Sequence, residues 1–201
     1  CNPSLTNLSI TGNTTNSHGG GIAISGSDST FSYLTITNNH ANSRGGGIYL
    51  SSSNSVIDNS LISNNTSDLN GGGIFISSSN ATLSHLTITG NISEGIYANG
   101  NSNISVINNS IIWNNVGEEI NVFSGSIEIT YSDIESGWEG AGNIDQNPLF
   151  CDVYNLDYSI STNSPCVGSG VNSGNMGAFP IGCEGAFTKV FVNSSGSDET
   201  G

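Results

Sequence analysis

One isoleucine position returns along the chain at intervals of 22 to 26 residues, and this repeat limits the folds that the sequence can adopt. The members of this column are Ile10, Ile36, Ile62, Ile88, Ile112 and Ile134. An asparagine stands three residues after each of the first five isoleucines, at Asn13, Asn39, Asn65, Asn91 and Asn115. A repeat of this length indicates a supersecondary unit that buries its apolar side chains only by stacking on its neighbours.

Two further apolar columns share the same period. The motif Gly-Gly-Gly-Ile ends at Ile22, Ile48 and Ile74, and degenerate copies end at Ile96 and Ile120. A second apolar residue follows each of these isoleucines by two positions, which is the spacing of inward side chains on a β-strand. The remaining column comprises Phe31, Ile57, Leu83, Ile107 and Ile129.

Three short strands in every repeat, with identical residues in register, predict an all-β fold. We expect a right-handed parallel β-helix, a three-strand solenoid of about six coils. The isoleucine column would stack inside the rod, and the asparagine column would form a ladder of side-chain amides that bond from coil to coil. The glycine triplets are expected at sharp turns with positive φ.

The repeats resemble the coils of pectate-lyase-like β-helix proteins and of bacterial surface proteins. The motifs Asn-Pro-Leu-Phe at 147–150, Asp-Tyr-Ser-Ile at 157–160, Ser-Pro-Cys at 164–166 and Met-Gly-Ala-Phe at 176–179 follow in order. They resemble the closing segment of secreted bacterial β-helix proteins. The resemblance implies coils over 1–146, a cysteine-containing closing segment over 147–185 and a tail over 186–201. It selects no function, because this fold carries lyases, hydrolases, adhesins and passive stalks.

The charge of the chain excludes two classes of partner. The formal net charge is −14, and the basic residues are Arg44 and Lys189. Nucleic-acid binding depends on many Lys and Arg side chains, so we expect none. No apolar run is long enough for a membrane span, so we expect no membrane insertion. Four cysteines without a Cys-x-x-Cys pair, together with few lysines, favour an extracellular or cell-surface location.

The cysteines suggest one intramolecular bridge and one intermolecular bridge. Cys151, Cys166 and Cys183 lie in the closing segment, whereas Cys1 begins the opposite end of the rod, beyond the reach of a disulfide. We expect a Cys151–Cys166 bond, because both residues flank the strand around 157–160. Cys183 would then remain for Cys1 of a neighbouring subunit.

The tail holds a short apolar strand that has no coil of its own. Val190, Phe191 and Val192 form its centre, and the first coil has no preceding cap in the sequence. Such a strand could add to the open first coil of the next copy and so build a head-to-tail filament. The alternative is that the strand begins a further module of a longer protein.

The functional prediction is a non-catalytic extracellular structural protein, as a filament subunit or as a stalk module of a surface protein. The alternatives are an adhesin and a carbohydrate-binding or carbohydrate-cleaving protein, with a polysaccharide lyase or glycoside hydrolase as the enzymatic version. We expect no cofactor, although calcium binding is an alternative because Asp, Glu and Asn supply the oxygen ligands that it prefers. The three histidines fall in three different columns, which predicts no zinc site.

The carbohydrate or calcium alternative depends on one acidic, tryptophan-bearing end of the rod. Its residues are Glu118, Glu119, Glu128, Asp133, Glu135, Trp113 and Trp138. Glycoside hydrolysis needs two carboxylates within about 10 Å, and neighbouring columns of a solenoid supply that spacing. We expect Asp133 and Glu135 on the outward face of the last isoleucine strand.

Glycosylation sequons are frequent in this asparagine-rich chain. Asn13, Asn65 and Asn91 belong to the predicted inward ladder, so they should not be accessible. Asn80 and Asn103 lie in predicted turns and are the glycosylation candidates.

Overall fold

The structure, a computed structural model, describes residues 2–100 and 105–185. Three parallel sheets wind around one axis, with strands numbered β1 to β23 along the chain. Sheet 1 contains β4 (Ile22–Ser25), β8 (Ile48–Ser51), β12 (Ile74–Ser77), β15 (Ile96–Asn99) and β18 (Ile120–Val122). Sheet 2 contains β1 (Ser4–Thr6), β5 (Thr30–Ser32), β9 (Val56–Asp58), β13 (Thr82–Ser84), β16 (Ser105–Asn108) and β19 (Ile127–Thr130).

Sheet 3 carries the isoleucine column. It contains β2 (Ser9–Thr11), β6 (Thr35–Thr37), β10 (Leu61–Ser63), β14 (Thr87–Thr89), β17 (Ile111–Trp113) and β20 (Asp133–Ile134). Three two-residue strands form a minor sheet beside it, namely β3 (Thr14–Thr15), β7 (His40–Ala41) and β11 (Thr66–Ser67). Sheets 2 and 3 have six strands each, so the prediction of a parallel β-solenoid with about six coils is confirmed.

The apolar columns stack in register inside the rod. Ile36 pairs with Ile62, and Ile62 pairs with Ile88, each in a parallel ladder. All three are fully buried, as are the equivalent residues Ile48 and Ile57 of the other two sheets. Each coil therefore removes apolar surface from water by covering the coil before it, which is how a solenoid gains its stability.

The asparagine column forms a hydrogen-bonded ladder. The backbone N–H and the Nδ2 of Asn39 both donate to Oδ1 of Asn65, each at 3.0 Å. Asn65 repeats this pattern on Asn91, at 3.0 and 3.1 Å. The second hydrogen of each amide is also used, because Nδ2 of Asn65 donates to the carbonyl of Ile36 at 2.9 Å. The ladder thus satisfies polar groups that would be costly to bury unpaired.

The glycine triplets have two different roles. Only the first glycine of each has a positive φ, as in Gly45 with φ +67°, whereas no positive φ occurs at Gly46 or Gly47. Gly46 is required for a different reason, since a Cβ there would lie 2.4 Å from the carbonyl oxygen of Thr66 and 2.5 Å from that of Gly72. The prediction that the triplets adopt positive φ is therefore correct only for the first position. The second position permits close approach of neighbouring backbones.

The two ends of the rod differ within the described residues. At the last coil, residues 137–146 fold over the core, with Ile134 donating to the carbonyl of Ile144 at 3.0 Å and Trp138 packing on the core. At the first coil, Leu5 and Ile10 are only partly buried. Residues 137–146 therefore cover β20 at the last coil, whereas β18 there and the strands of the first coil have no further strand beside them in the described residues.

The closing segment runs back along the outside of sheet 3. It contains the strands β21 (Phe150–Asp152), β22 (Asp157–Ser161) and β23 (Ile181–Cys183), with short 3₁₀ turns at Val153–Asn155 and Val171–Ser173. Ala178 donates its backbone N–H to Oγ1 of Thr87 at 3.0 Å, although the two residues are far apart in sequence. The predicted boundary between residues 146 and 147 stays a prediction.

The predicted cysteine pairing is wrong. Cys151 is bonded to Cys183, with their Cα atoms 5.8 Å apart, because β21 and β23 both lie beside β22. After β22 the chain turns toward the rod and carries Cys166 underneath, where it is fully buried against Ile111. Cys183 is therefore not free for an intersubunit bond. Cys1 and the tail residues Val190, Phe191 and Val192 lie outside the described residues, as does Asn103.

This pairing predicts a simple labelling result. In the native protein we expect Cys166 to resist alkylation, because its side chain is fully buried and burial beside Asp133 raises its thiol pKa. After denaturation without reductant it should react, while Cys151 and Cys183 remain linked. Peptide mapping of both samples checks this. Rapid alkylation of native Cys166, or a disulfide that includes it, would contradict the structure.

Candidate functional site

The structure divides the predicted acidic patch into separate places. Glu118, Glu119, Glu135 and Trp138 line one depression of about 580 Å³ at the end of the rod, which we call the acidic depression. Glu128 lies elsewhere, exposed on the outer side of sheet 2. The structure therefore brings together four of the seven residues predicted for this patch.

Glu119 ends the asparagine ladder. The backbone N–H of Asn115 donates to Oε1 of Glu119 at 3.0 Å, and its Nδ2 donates to Oε2. The carboxylate thus takes the place that the next asparagine would occupy. Sequence reasoning missed this role, although one signal was present, since Glu119 stands before Ile120 where a glycine precedes each earlier isoleucine of that column.

Glu119 and Glu135 lie beside each other in the acidic depression. Burial above all raises the pKa of Glu119 to about 7. The hydrogen bonds from Asn115 oppose this rise, and a hydrogen bond and charge repulsion from Glu135 contribute to it. Glu135 is held from its other side, because Oε2 accepts the backbone N–H of Asn114 at 2.7 Å. With its raised pKa, Glu119 is partly protonated near neutral pH.

Asp133 is buried, contrary to the expectation that it faces solvent. It does point to the outer side of sheet 3, but the closing segment covers that side and leaves the residue with no exposed surface. Its Oδ1 accepts the backbone N–H of Gln146 at 3.1 Å, and its Oδ2 accepts the Cys166 thiol at 3.1 Å. Burial raises the pKa of Asp133 to about 6. Asp133 therefore fixes the closing segment to the rod rather than binding a ligand.

These two raised pKa values predict an unusual dependence of stability on pH. A carboxyl that holds its proton more tightly when folded stabilises the fold below its unfolded pKa, and loses that contribution as the pH rises through its folded pKa. We expect stability from Asp133 to fall between about pH 4 and 6, and stability from Glu119 to fall between about pH 4.5 and 7.

Urea unfolding across this range, in parallel on wild type and variants, measures the effect. Asp133→Asn and Glu119→Gln should each match wild type near pH 4 and exceed it by roughly 3 kcal/mol near pH 8, because neither side chain ionises. Glu128→Gln, at an exposed position, is the control and should leave the slope unchanged. Parallel curves for all four proteins would contradict the assignment.

The histidines and Arg44 do not form a site. His40 lies 3.5 Å from Asp68 at the surface, and His85 lies 3.2 Å from Asp58. Arg44 lies over the ring of Phe75 at 5.3 Å, a cation–π contact on the outer side of sheet 1. Within residues 2–100 and 105–185, no three His, Cys, Asp or Glu side chains converge closely enough to hold a metal ion.

A tryptophan groove lies next to the acidic depression. Trp113 lines it together with Phe150 and Tyr158 of the closing segment, in a space of about 490 Å³. Asn114 borders both spaces. Trp113 therefore lies near the predicted acidic residues but does not line the same depression. Trp113 faces the closing segment instead, and the repeat pattern of the sequence could not predict where that segment lies.

Comparison with known proteins yields one match. A family model described as "Right handed beta helix region" matches residues 2–156. No curated protein and no solved structure matches the chain. In the part of the chain that the structure describes, no helix is long and apolar enough to cross a membrane.

Proposed function

Since this chain belongs to the right-handed β-helix family, we propose that it is a non-catalytic extracellular structural protein, as a stalk module of a surface protein or as a filament subunit. One observation carries the proposal, namely that the asparagine ladder and the apolar columns continue from coil to coil without a break. Such a rod is suited to a structural role, because three strand ladders and the asparagine ladder hydrogen-bond each coil to the next.

Three side chains that could otherwise bind a ligand or take part in catalysis make structural contacts instead, which supports a structural role. Glu119 ends the ladder, Asp133 holds the closing segment and Arg44 covers an aromatic ring. The Cys151–Cys183 disulfide and the net charge of −14 are compatible with an extracellular location. The finer likeness to pectate-lyase-like proteins, and the adhesin alternative, stay predictions.

The unequal ends bear on the choice between stalk and filament. Within the described residues, residues 137–146 cover β20 at the last coil, so sheet 3 of one copy cannot pair directly with the first coil of another. The predicted strand around 190–192 is the candidate for joining two copies in a filament. A stalk would require only that further β-coils continue from the open first coil.

Light scattering over a concentration series, with negative-stain imaging, tests this proposal. Filaments whose growth is abolished by Ile10→Lys favour the subunit, because a charge would then stand in the open end. Leu69→Lys, at a surface turn, is the matched control. Single rods of constant length favour the stalk. Compact particles that are not rods would contradict both.

A second candidate function, carbohydrate cleavage, rests on the Glu119–Glu135 pair. Glu119, whose pKa is raised to about 7, could act as a general acid or base beside the Glu135 carboxyl. The test is turnover on a panel of polysaccharides by the wild type, Glu135→Gln and the control Glu128→Gln. Turnover that disappears only in Glu135→Gln would overturn the non-catalytic proposal, and the absence of turnover would sustain it.

A further inference from the structure

The last strand of sheet 1 has one unpaired edge. Sheet 1 runs from β4 in the first coil to β18 in the last coil, and in the described residues no further strand lies beside the outer edge of either. An unpaired strand edge is a template for pairing with another chain. The β4 strand of a second copy would therefore continue the parallel ladder from β18 unless something in the last coil prevents it.

Every coil before the last leaves room for its successor at one position. A Cβ at this position would lie 2.4 to 2.8 Å from the carbonyl oxygen of the equivalent residue in the next coil, and 2.8 to 3.2 Å from Nδ2 of that coil's ladder asparagine. Only a glycine fits there when another coil follows. The residues at this position, each directly before the first isoleucine of its strand, are Gly21, Gly47, Gly73 and Gly95.

Glu119 takes this position in the last coil. Its backbone confirms the equivalence, because its carbonyl accepts the N–H of Ile96 at 2.9 Å, as the corresponding glycine carbonyls do for earlier isoleucines. Its carboxylate accepts the backbone N–H and the Nδ2 of Asn115, the two groups that earlier ladder asparagines donate to the next coil. The side chain of Glu119 therefore occupies space in which the backbone and the asparagine of a further coil would lie.

The acidic depression is the place of that further coil. Its lining includes Asn115, Ile120 and Ile134, which end the asparagine ladder, the apolar column of sheet 1 and the isoleucine column of sheet 3. A chain that continued the solenoid would cross this space on its way from sheet 3 to sheet 1. We propose that Glu119 is a stop residue, which prevents the edge of β18 from pairing with the first coil of a second copy.

The neighbouring Glu118 does not have this effect. Its equivalent in the preceding coil is Glu94, since Gly95 donates to the carbonyl of Glu118 as Gly73 does to that of Glu94. The carboxylate of Glu94 turns back to the coil before it, and β15 still pairs with β18. A glutamate at this position is compatible with a following coil, so the stop depends on Glu119 alone.

This inference goes beyond the structural role proposed above and does not depend on it. The stalk and the filament both use the open first coil, whereas the stop residue acts at the last coil. A rod with a stop residue at one end gains further β-coils only at the other. The stop residue thus gives the module a direction.

A dansyl-labelled peptide with the sequence of residues 13–25, which spans the first ladder asparagine and β4, tests the proposal by fluorescence anisotropy. The parent protein for all measurements is Ile10→Lys, so that the first coil of one copy does not compete with the peptide. Adding Glu119→Gly should tighten binding of the peptide by at least about tenfold. It restores the glycine of the earlier coils and frees both donors of Asn115 for the asparagine of the peptide.

Two matched variants separate the causes. Glu119→Ala removes the same carboxylate but keeps the Cβ, and Glu118→Gly introduces a glycine one position earlier. Neither should bind the peptide more tightly than the parent does. A peptide with alanine in place of its first asparagine should bind to the Glu119→Gly protein more weakly, because Asn115 then has no acceptor. Circular dichroism shows whether each variant keeps the fold.

The proposal is overturned if the parent binds the peptide as tightly as the Glu119→Gly protein, or if either matched variant gains the same affinity. A folded Glu119→Gly protein without any gain also overturns it. If this variant does not fold, hydrogen exchange on the parent decides, because excess peptide should then leave exchange in β18 unchanged and new protection there would refute the stop. None of these results depends on whether the wild type forms filaments or single rods.

Discussion

Asn65→Ala should destabilise the rod by roughly 4 kcal/mol or more, whereas Asn13→Ala should cost less than about 1 kcal/mol. Asn65 is fully buried, and its side chain takes part in four hydrogen bonds, two donated by Nδ2 and two accepted by Oδ1. Its loss leaves two N–H donors on Asn39 without partners and removes one donor from each of the oxygens of Ile36 and Asn91. Each buried unpaired group costs about 1–3 kcal/mol.

Asn13 is the matched control, because it is the same residue type at the first position of the same ladder. It is exposed, and its side chain donates a single bond of 3.0 Å, to Asn39. Urea unfolding followed by circular dichroism measures both variants, and hydrogen exchange shows which coils are affected. Equal losses at the two positions would mean that the ladder contributes little beyond local turn structure.

Gly46→Ala should prevent the coils from closing, with a cost of at least about 4 kcal/mol or failure to fold. The new Cβ would lie within 2.5 Å of backbone oxygens on two neighbouring segments, at Thr66 and Gly72. Neither can move aside, because both are bonded to the preceding coil: the N–H of Thr66 donates to the carbonyl of Asn39, and the carbonyl of Gly72 accepts the N–H of Gly47. Adding one methyl group would therefore push whole coils apart, which destroys the register of the columns beside it.

Gly12→Ala separates this steric effect from the cost of backbone conformation. Gly12 has φ +69°, yet a Cβ there meets nothing within 4 Å. We expect a loss of about 1–2 kcal/mol, the usual cost of a left-handed conformation for an L-residue. Thermal unfolding and soluble yield compare the two variants. A Gly46→Ala protein as stable as Gly12→Ala would show that the coils lie further apart than in this structure.

Much of the candidate site could not be predicted from the repeat. The acidic residues near the last coil were found by their density, and the structure does bring Glu118, Glu119 and Glu135 together. The role of Glu119 was missed because it differs from the pattern, standing where earlier coils have glycine. The sequence correctly predicted the side of the strand on which Asp133 lies. It could not predict that the closing segment covers this side, because that segment contains no repeat.

The sequence by itself determined the coils, because every contact between neighbouring coils joins residues about one period apart. The spacing of the isoleucine and asparagine columns therefore predicts the strand register, and Ile62 does pair with Ile88. The tertiary structure decided what happens where the period ends. The return of the closing segment across sheet 3 depends on contacts such as Ala178 with Thr87 and Cys166 with Asp133. Such contacts join residues of unrelated sequence position, so packing alone selects the disulfide partner, buries Asp133 and forms the tryptophan groove.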